Sequence, residues 1–174
     1  LNWSDHEKPL NALITGTINF GVEDMTLWVG NHLNGIATKG KRLEDRGNAY
    51  FRRLNIRMTP LSPKTKRGFT LEQMKESYND RLWIGDKEGR GERNAAFRLS
   101  GKNIEITDCI VMTNPAVWEA CGIFLERVKG AYVKGNEVLS SLRASIYLNG
   151  VEDLVFTEND VTGGTFIGTH HTVV

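Results

Sequence analysis

Long apolar runs, net charge, cysteine and helical periodicity are all scarce in this chain, and each scarcity closes off a class of protein. No stretch approaches the roughly 20 apolar residues of a membrane-spanning helix, so a membrane is not an expected partner. The net charge is only +1, with acids and bases mixed along the sequence. A dedicated nucleic-acid binder would show a basic face, so nucleic acid is not expected either. The two cysteines, Cys109 and Cys121, have neither CxxC nor metal-ligand spacing. Two reduced thiols in or near a core are expected, with no metal and no other cofactor. What remains is a 174-residue chain, 25% charged and 40% apolar, large enough for one ordinary domain with a core. It opens on Leu1 and shows no signal peptide; the expectation is a single domain over 1–174, a mature protein or a fragment of something longer.

The second half repeats itself. Phe97-Arg98-Leu99 leads through Gly101-Lys102-Asn103 to Ile104 and onward to Val111. Ile123-Phe124-Leu125 leads through Val128-Lys129-Gly130 to Ala131 and onward to Val138. Ile146-Tyr147-Leu148 leads through Val151-Glu152-Asp153 to Leu154 and onward to Val161. Cys109, Asn136 and Asn159 fall at equivalent positions. The apolar runs alternate with period two, as strands do, and Gly, Asn and Asp between them suit tight turns. Such a unit cannot bury its apolar face alone, whereas stacked copies bury Ile, Leu, Val and Phe in one column. The expectation is an all-β parallel solenoid of about five or six coils, with Asn136 lying over Asn159. A β-sandwich with strands at similar spacing is the alternative.

Earlier segments carry the pattern less cleanly. Phe51 to Ile56 matches Val133 to Val138 in apolar spacing, Gly21-Val22-Glu23-Asp24 echoes Gly150-Val151-Glu152-Asp153, and Ala12-Leu13-Ile14 reads as the strand before it. Residues 59–93 break the repeat. Within them Thr70-Leu71-Glu72-Gln73 fits a capping box, which predicts a short helix at about 71–78.

From about Ala95 to Gly168 the chain resembles the pectin-lyase-like right-handed parallel β-helix family, which includes polygalacturonases and pectate lyases. The resemblance rests on the coil pattern and on Asn136 and Asn159 at the tight turn. It implies a carbohydrate-active protein, a glycoside hydrolase or polysaccharide lyase, acting on a polysaccharide and secreted, periplasmic or on a cell surface. It also implies that the first strand of each coil and the loop entering it line the cleft. The polygalacturonase motifs do not carry over: Ala120-Cys121, Arg143-Ala144 and Gly163-Gly164 stand at those positions. A non-catalytic glycan-binding, adhesin or structural segment is the other reading, as is end-to-end self-association.

If Ile123 and Leu125 point inward, the first strands turn Arg98, Phe124 and Tyr147 outward in one strip, with Ser100, Glu126 and Asn149 beside them. Aromatic side chains beside polar groups suit a sugar ring; a solvated face or a surface packed under a loop would read the same way. Glu119 and Glu126 are the expected catalytic carboxylates, since glycoside hydrolysis takes a pair. Arg93, Arg98 and Arg143 are expected to bind acidic groups, or to form surface ion pairs. Trp118 and Trp83, in segments over the presumed cleft, complete the substrate-binding set with Phe124, Tyr147 and Asn149; Trp118 could equally pin its own loop to the expected helix.

Overall fold

A computed structural model of the chain describes residues 12–29, 34–58, 95–113, 121–139, 145–162 and 165–167. The 59–93 insertion and its expected helix lie outside the described residues. Among those described there is no helix. The strands are β1 (Ala12–Gly16), β2 (Ile18–Glu23), β3 (Thr26–Trp28), β4 (Asn34–Thr38), β5 (Gly47–Arg52), β6 (Asn55–Met58), β7 (Ala95–Thr107), β8 (Ile110–Thr113), β9 (Cys121–Lys134), β10 (Glu137–Leu139), β11 (Ile146–Thr157), β12 (Asp160–Thr162) and β13 (Thr165–Ile167).

They form two sheets, and every pairing in both is parallel. The larger sheet runs β1-β4-β7-β9-β11-β13, with β2 and β5 joining it alongside β7; the smaller runs β12-β10-β8-β6-β3. Ile123 pairs with Ile146 and Phe97 with Ile123; β9 and β11 keep one register to Lys134 and Thr157, while β7 and β9 shift by one residue between Leu99 and Gly101 before pairing Thr107 with Lys134. The equivalences read from the second half are therefore true neighbours. Parallel pairing at about 4.8 Å puts each side chain over its counterpart in the next repeat.

The alternation of residue types sets the faces. In β5 Gly47, Ala49 and Phe51 are buried while Asn48 and Tyr50 point out. Repeated strand by strand, this builds one apolar column in which Ile36, Phe51, Phe97, Leu99, Ile104, Ile106, Ile123, Leu125 and Ile146 are all almost fully buried. Phe20, Phe51 and Phe97 touch ring to ring, at 5.6 and 5.4 Å between centroids. The smaller sheet contributes Ile56, Val111 and Val138 to the same buried core.

Two connecting residues take the chain from the larger sheet to the smaller in every repeat: Asp24-Met25, Arg53-Leu54, Asp108-Cys109, Gly135-Asn136 and Glu158-Asn159. The first of each pair has positive φ, between 51° and 68°. Left-handed backbone costs a non-glycine residue roughly 1 kcal/mol or more, so the turn needs compensation. Asn136 and Asn159 supply it in the last two turns. Asn136 Oδ1 accepts from the Cys109 N–H at 2.9 Å, and its amide donates to Ile106 O at 3.0 Å and to Asn159 Oδ1 at 2.8 Å. Asn159 in turn donates to Val133 O at 2.9 Å. In an earlier turn an ion pair acts instead: Arg53 donates to both oxygens of Asp24, at 2.6 and 2.7 Å. The Arg53 guanidinium holds the Asp24 carboxyl below its ordinary range.

One expected equivalence is a coincidence. Gly21 lies in the row of Tyr50, Glu105, Tyr132 and Val155, not in the row of Gly150. The two Gly-Val-Glu-Asp stretches therefore sit at different turns. Both end on an Asp with positive φ, which shows that the tetrapeptide answers a local backbone demand rather than a place in the repeat.

Asn136 is buried, at 1% exposure, so Asn136→Ala leaves the Cys109 N–H and the Ile106 carbonyl without their partner. A loss of about 2–4 kcal/mol in unfolding free energy is expected from two buried groups left unsatisfied. Denaturant titration by circular dichroism measures it.

Candidate functional site

The outward row of the larger sheet is assembled as its register requires. Arg98 of β7 pairs with Phe124 of β9, and Phe124 with Tyr147 of β11. The Arg98 guanidinium carbon stands 5.5 Å from the Phe124 ring centroid. Phe124 and Tyr147 stack face to face, 4.7 Å apart and 3° from parallel. With Ala95 and Cys121 they make a small apolar cluster separate from the main column.

That stack has a chemical consequence. Phe124 is only 5% exposed, with Arg98 over its ring and Tyr147 stacked against it. It is not an open platform for a sugar. Its two neighbours in the row, Arg98 and Tyr147, pack against it from either side.

Beside this row Glu126 pairs with Asn149. Ser100 stands where β7 has one residue for two in β9: Leu99 pairs with Leu125 but Gly101 with Val128. The bulge turns Ser100 aside, and it is buried and occupied. It exchanges a hydrogen bond with Thr38 at 3.1 Å and accepts one from Arg46 at 2.8 Å. Glu126 differs from it. The residue is partly buried, and its Oε1 is shut off from solvent with no hydrogen-bond partner among the described residues. Buried carboxylate oxygens are normally satisfied, and one left bare costs on the order of 1–3 kcal/mol. Trp83, Arg93, Trp118, Glu119 and Arg143 lie outside the described residues. The structure thus brings together Arg98, Phe124, Tyr147, Glu126 and Asn149 of the expected set. Among the described residues no three His, Cys, Asp or Glu side chains group to hold a metal ion, and no helix is long and apolar enough to cross a membrane.

A second outward surface has no counterpart in the sequence reading. Tyr50, Glu105, Tyr132 and Val155 stack in one row, beside a furrow of about 460 Å³. Arg52 donates to both Glu105 oxygens, at 2.6 and 2.8 Å, and its guanidinium stands 4.5 Å from the Tyr50 ring centroid. Alternation alone would have turned these residues outward on paper. The resemblance directed attention to the first strands instead.

Hydrogen bonding to Arg52, opposed by partial burial, holds the Glu105 carboxyl below its ordinary range. A carboxyl with a depressed folded pKa stabilises above its unfolded pKa, and that contribution is lost as pH falls through the folded value. Glu105→Gln is therefore expected to flatten the acid limb of the stability–pH curve and to leave its neutral plateau little lower, since the pair is part-exposed and screened. Thermal melts across acidic pH measure this.

Both cysteines are free and buried. Burial pushes the Cys109 thiol up to about 11, so thiolate is almost absent at pH 8. Iodoacetamide is expected to spare Cys109 in the native protein and to label it once denaturant unfolds the chain. Peptide mass spectrometry reads the difference.

Compared with protein-family models, curated proteins and solved structures, the chain matches none.

Proposed function

We propose that this chain is a stretch of right-handed parallel β-helix that acts on a polysaccharide, as a glycoside hydrolase or polysaccharide lyase, along the outward face of its first strands. The observation that carries the reading is Glu126: a partly buried carboxylate with a bare oxygen, set beside Asn149 and next to the Arg98–Phe124–Tyr147 row. A bare acceptor is unfavourable in the free protein, and a ligand hydroxyl would satisfy it once the part-exposed side chain turns that oxygen toward the surface. Functional sites are where such local costs are retained. In this reading Glu126 moves the proton in the cleavage step, Asn149 binds a neighbouring hydroxyl, and Arg98, braced on Phe124, faces an acidic group of the sugar. Zero-offset register between repeats, with equivalent residues in rows, supports the β-helix.

A glycan-binding segment without turnover is the second reading. One specific observation favours it: among the described residues that row carries a single carboxylate, whereas hydrolysis takes a pair.

Glu126→Gln separates the two. Removing the bare carboxylate is expected to raise stability by about 1 kcal/mol, or leave it unchanged. Turnover is expected to vanish, read as reducing ends for a hydrolase and as absorbance of unsaturated products for a lyase. Full activity in Glu126→Gln would remove Glu126 from the chemistry. Binding without turnover in the unsubstituted protein would select the second reading.

A further inference from the structure

The furrow beside Tyr132 has features of a ligand site that the first-strand face lacks. Its polar wall is a row of left-handed turn residues, Asn48, Asn103, Gly130 and Asp153, which Asn19 extends beyond the furrow; all five have positive φ and are held one over another by strand register. The asparagines form a directed amide chain. Asn48 Nδ2 donates to Asn19 Oδ1 at 2.9 Å, and Asn103 Nδ2 donates to Asn48 Oδ1 at 2.8 Å. At Gly130 the chain stops for want of a side chain. Asn103 Oδ1 points to that gap, 3.1 Å from where a Cβ of residue 130 would sit. One repeat further on, Asp153 resumes the row with a carboxylate.

The opposite wall is the Tyr50–Glu105–Tyr132 row. The two tyrosines differ. Tyr50 lies down over Gly21, its ring occupying the space a Cβ there would need, and Arg52 lies over it. Tyr132, exposed to much the same degree as Tyr50 (40% against 37%), has Glu105 and Val155 as row neighbours and stacks on no other ring among the described residues. Its faces are not used up as those of Phe124 are.

We infer that the furrow centred on Gly130 and Tyr132 is a saccharide subsite distinct from the first-strand face. A sugar seats in the gap of the amide row, donates hydroxyls to Asn103 Oδ1 and the Asp153 carboxylate, and lays its C–H face on Tyr132. A peptide strand is disfavoured at Gly130 and Tyr132, because β5, β7 and β9 are each paired on both sides here; among the described residues β11 is paired here with β9 alone, and a strand added to its edge would lie beyond the furrow's centre. The furrow runs across the repeats, so it suits a linear chain of sugars. The ligand class rests on the polysaccharide reading above; the site does not.

The test is affinity gel electrophoresis of the whole chain in hydroxyethyl cellulose, xylan, galactomannan and polygalacturonate. Tyr132→Ala removes the platform. Gly130→Asn fills the gap with a residue that tolerates left-handed backbone and continues the amide row. Arg98→Ala disables only the first-strand face, and circular dichroism melts verify folding of all three. The expected result is retardation by at least one of these polysaccharides, weakened roughly tenfold in Tyr132→Ala, the loss expected with an aromatic platform. It should weaken likewise in Gly130→Asn and persist in Arg98→Ala. Retardation lost in Arg98→Ala but kept in both furrow variants would overturn the subsite and leave the first-strand reading standing. No retardation by any of the four would also overturn it, with the turnover assay deciding the other site separately. Binding of an oligolysine peptide in place of any polysaccharide, abolished by Tyr132→Ala, would overturn it in favour of a cation site.

Discussion

Zero-offset hydrogen bonding between successive parallel strands is the constraint on which the rest of this structure depends. Because Phe97, Ile123 and Ile146 are backbone neighbours, every property of a residue is passed to the one above it. Apolar positions become a column, turn positions become a ridge, and outward positions become rows. Antiparallel pairing could not do this, since it sets different parts of the repeat opposite one another. A one-residue slip would turn the whole column to solvent. The Asn19–Asn48–Asn103 chain pins that register in the early repeats and the Asn136–Asn159 pair in the late ones.

The same constraint sorts side chains by what their neighbours leave to them. An aromatic above an aromatic gives up its faces, as Phe124 and Tyr147 do. An aromatic above Glu or Val keeps them, as Tyr132 does. A carboxylate within reach of an arginine on the next repeat is satisfied, as Glu105 is by Arg52. Glu126, across from Asn149 and a bulge, is not. Which of these situations a residue meets is decided by the residue one repeat away, far off in sequence.

The register of β7, β9 and β11 was legible in the sequence because their apolar triplets and turn residues match position for position. The early strands were harder. There the repeat keeps its backbone geometry but changes its compensation: Arg53 and Asp24 pair at the first turn position, whereas later turns place asparagine at the second. With side-chain identity gone, the Gly-Val-Glu-Asp echo offered a false alignment, five positions out. At the candidate site, row membership was readable for Arg98, Phe124, Tyr147, Glu126 and Asn149. Ring faces spent on stacking, the bulge that retires Ser100, and the bare oxygen of Glu126 depend on three-dimensional contacts that no alternation pattern encodes. Tyr50 and Tyr132 are equally readable as outward residues by alternation, but they lie on the second strands, outside the face that the resemblance implies.

The five crossings from larger to smaller sheet are all two residues long, whereas the return crossings, from β3 to β4, β6 to β7, β8 to β9, β10 to β11 and β12 to β13, vary from a pair of residues to the whole of 59–94. The corners leading to the smaller sheet are thus fixed by left-handed backbone, and those leading back vary in length at little cost, since a long loop adds little closure entropy over a medium one. Such an architecture separates inheritance from invention. Its ladder must be copied faithfully, while whole segments can be exchanged at the permissive corner beside the first strands without a single strand pairing being renegotiated.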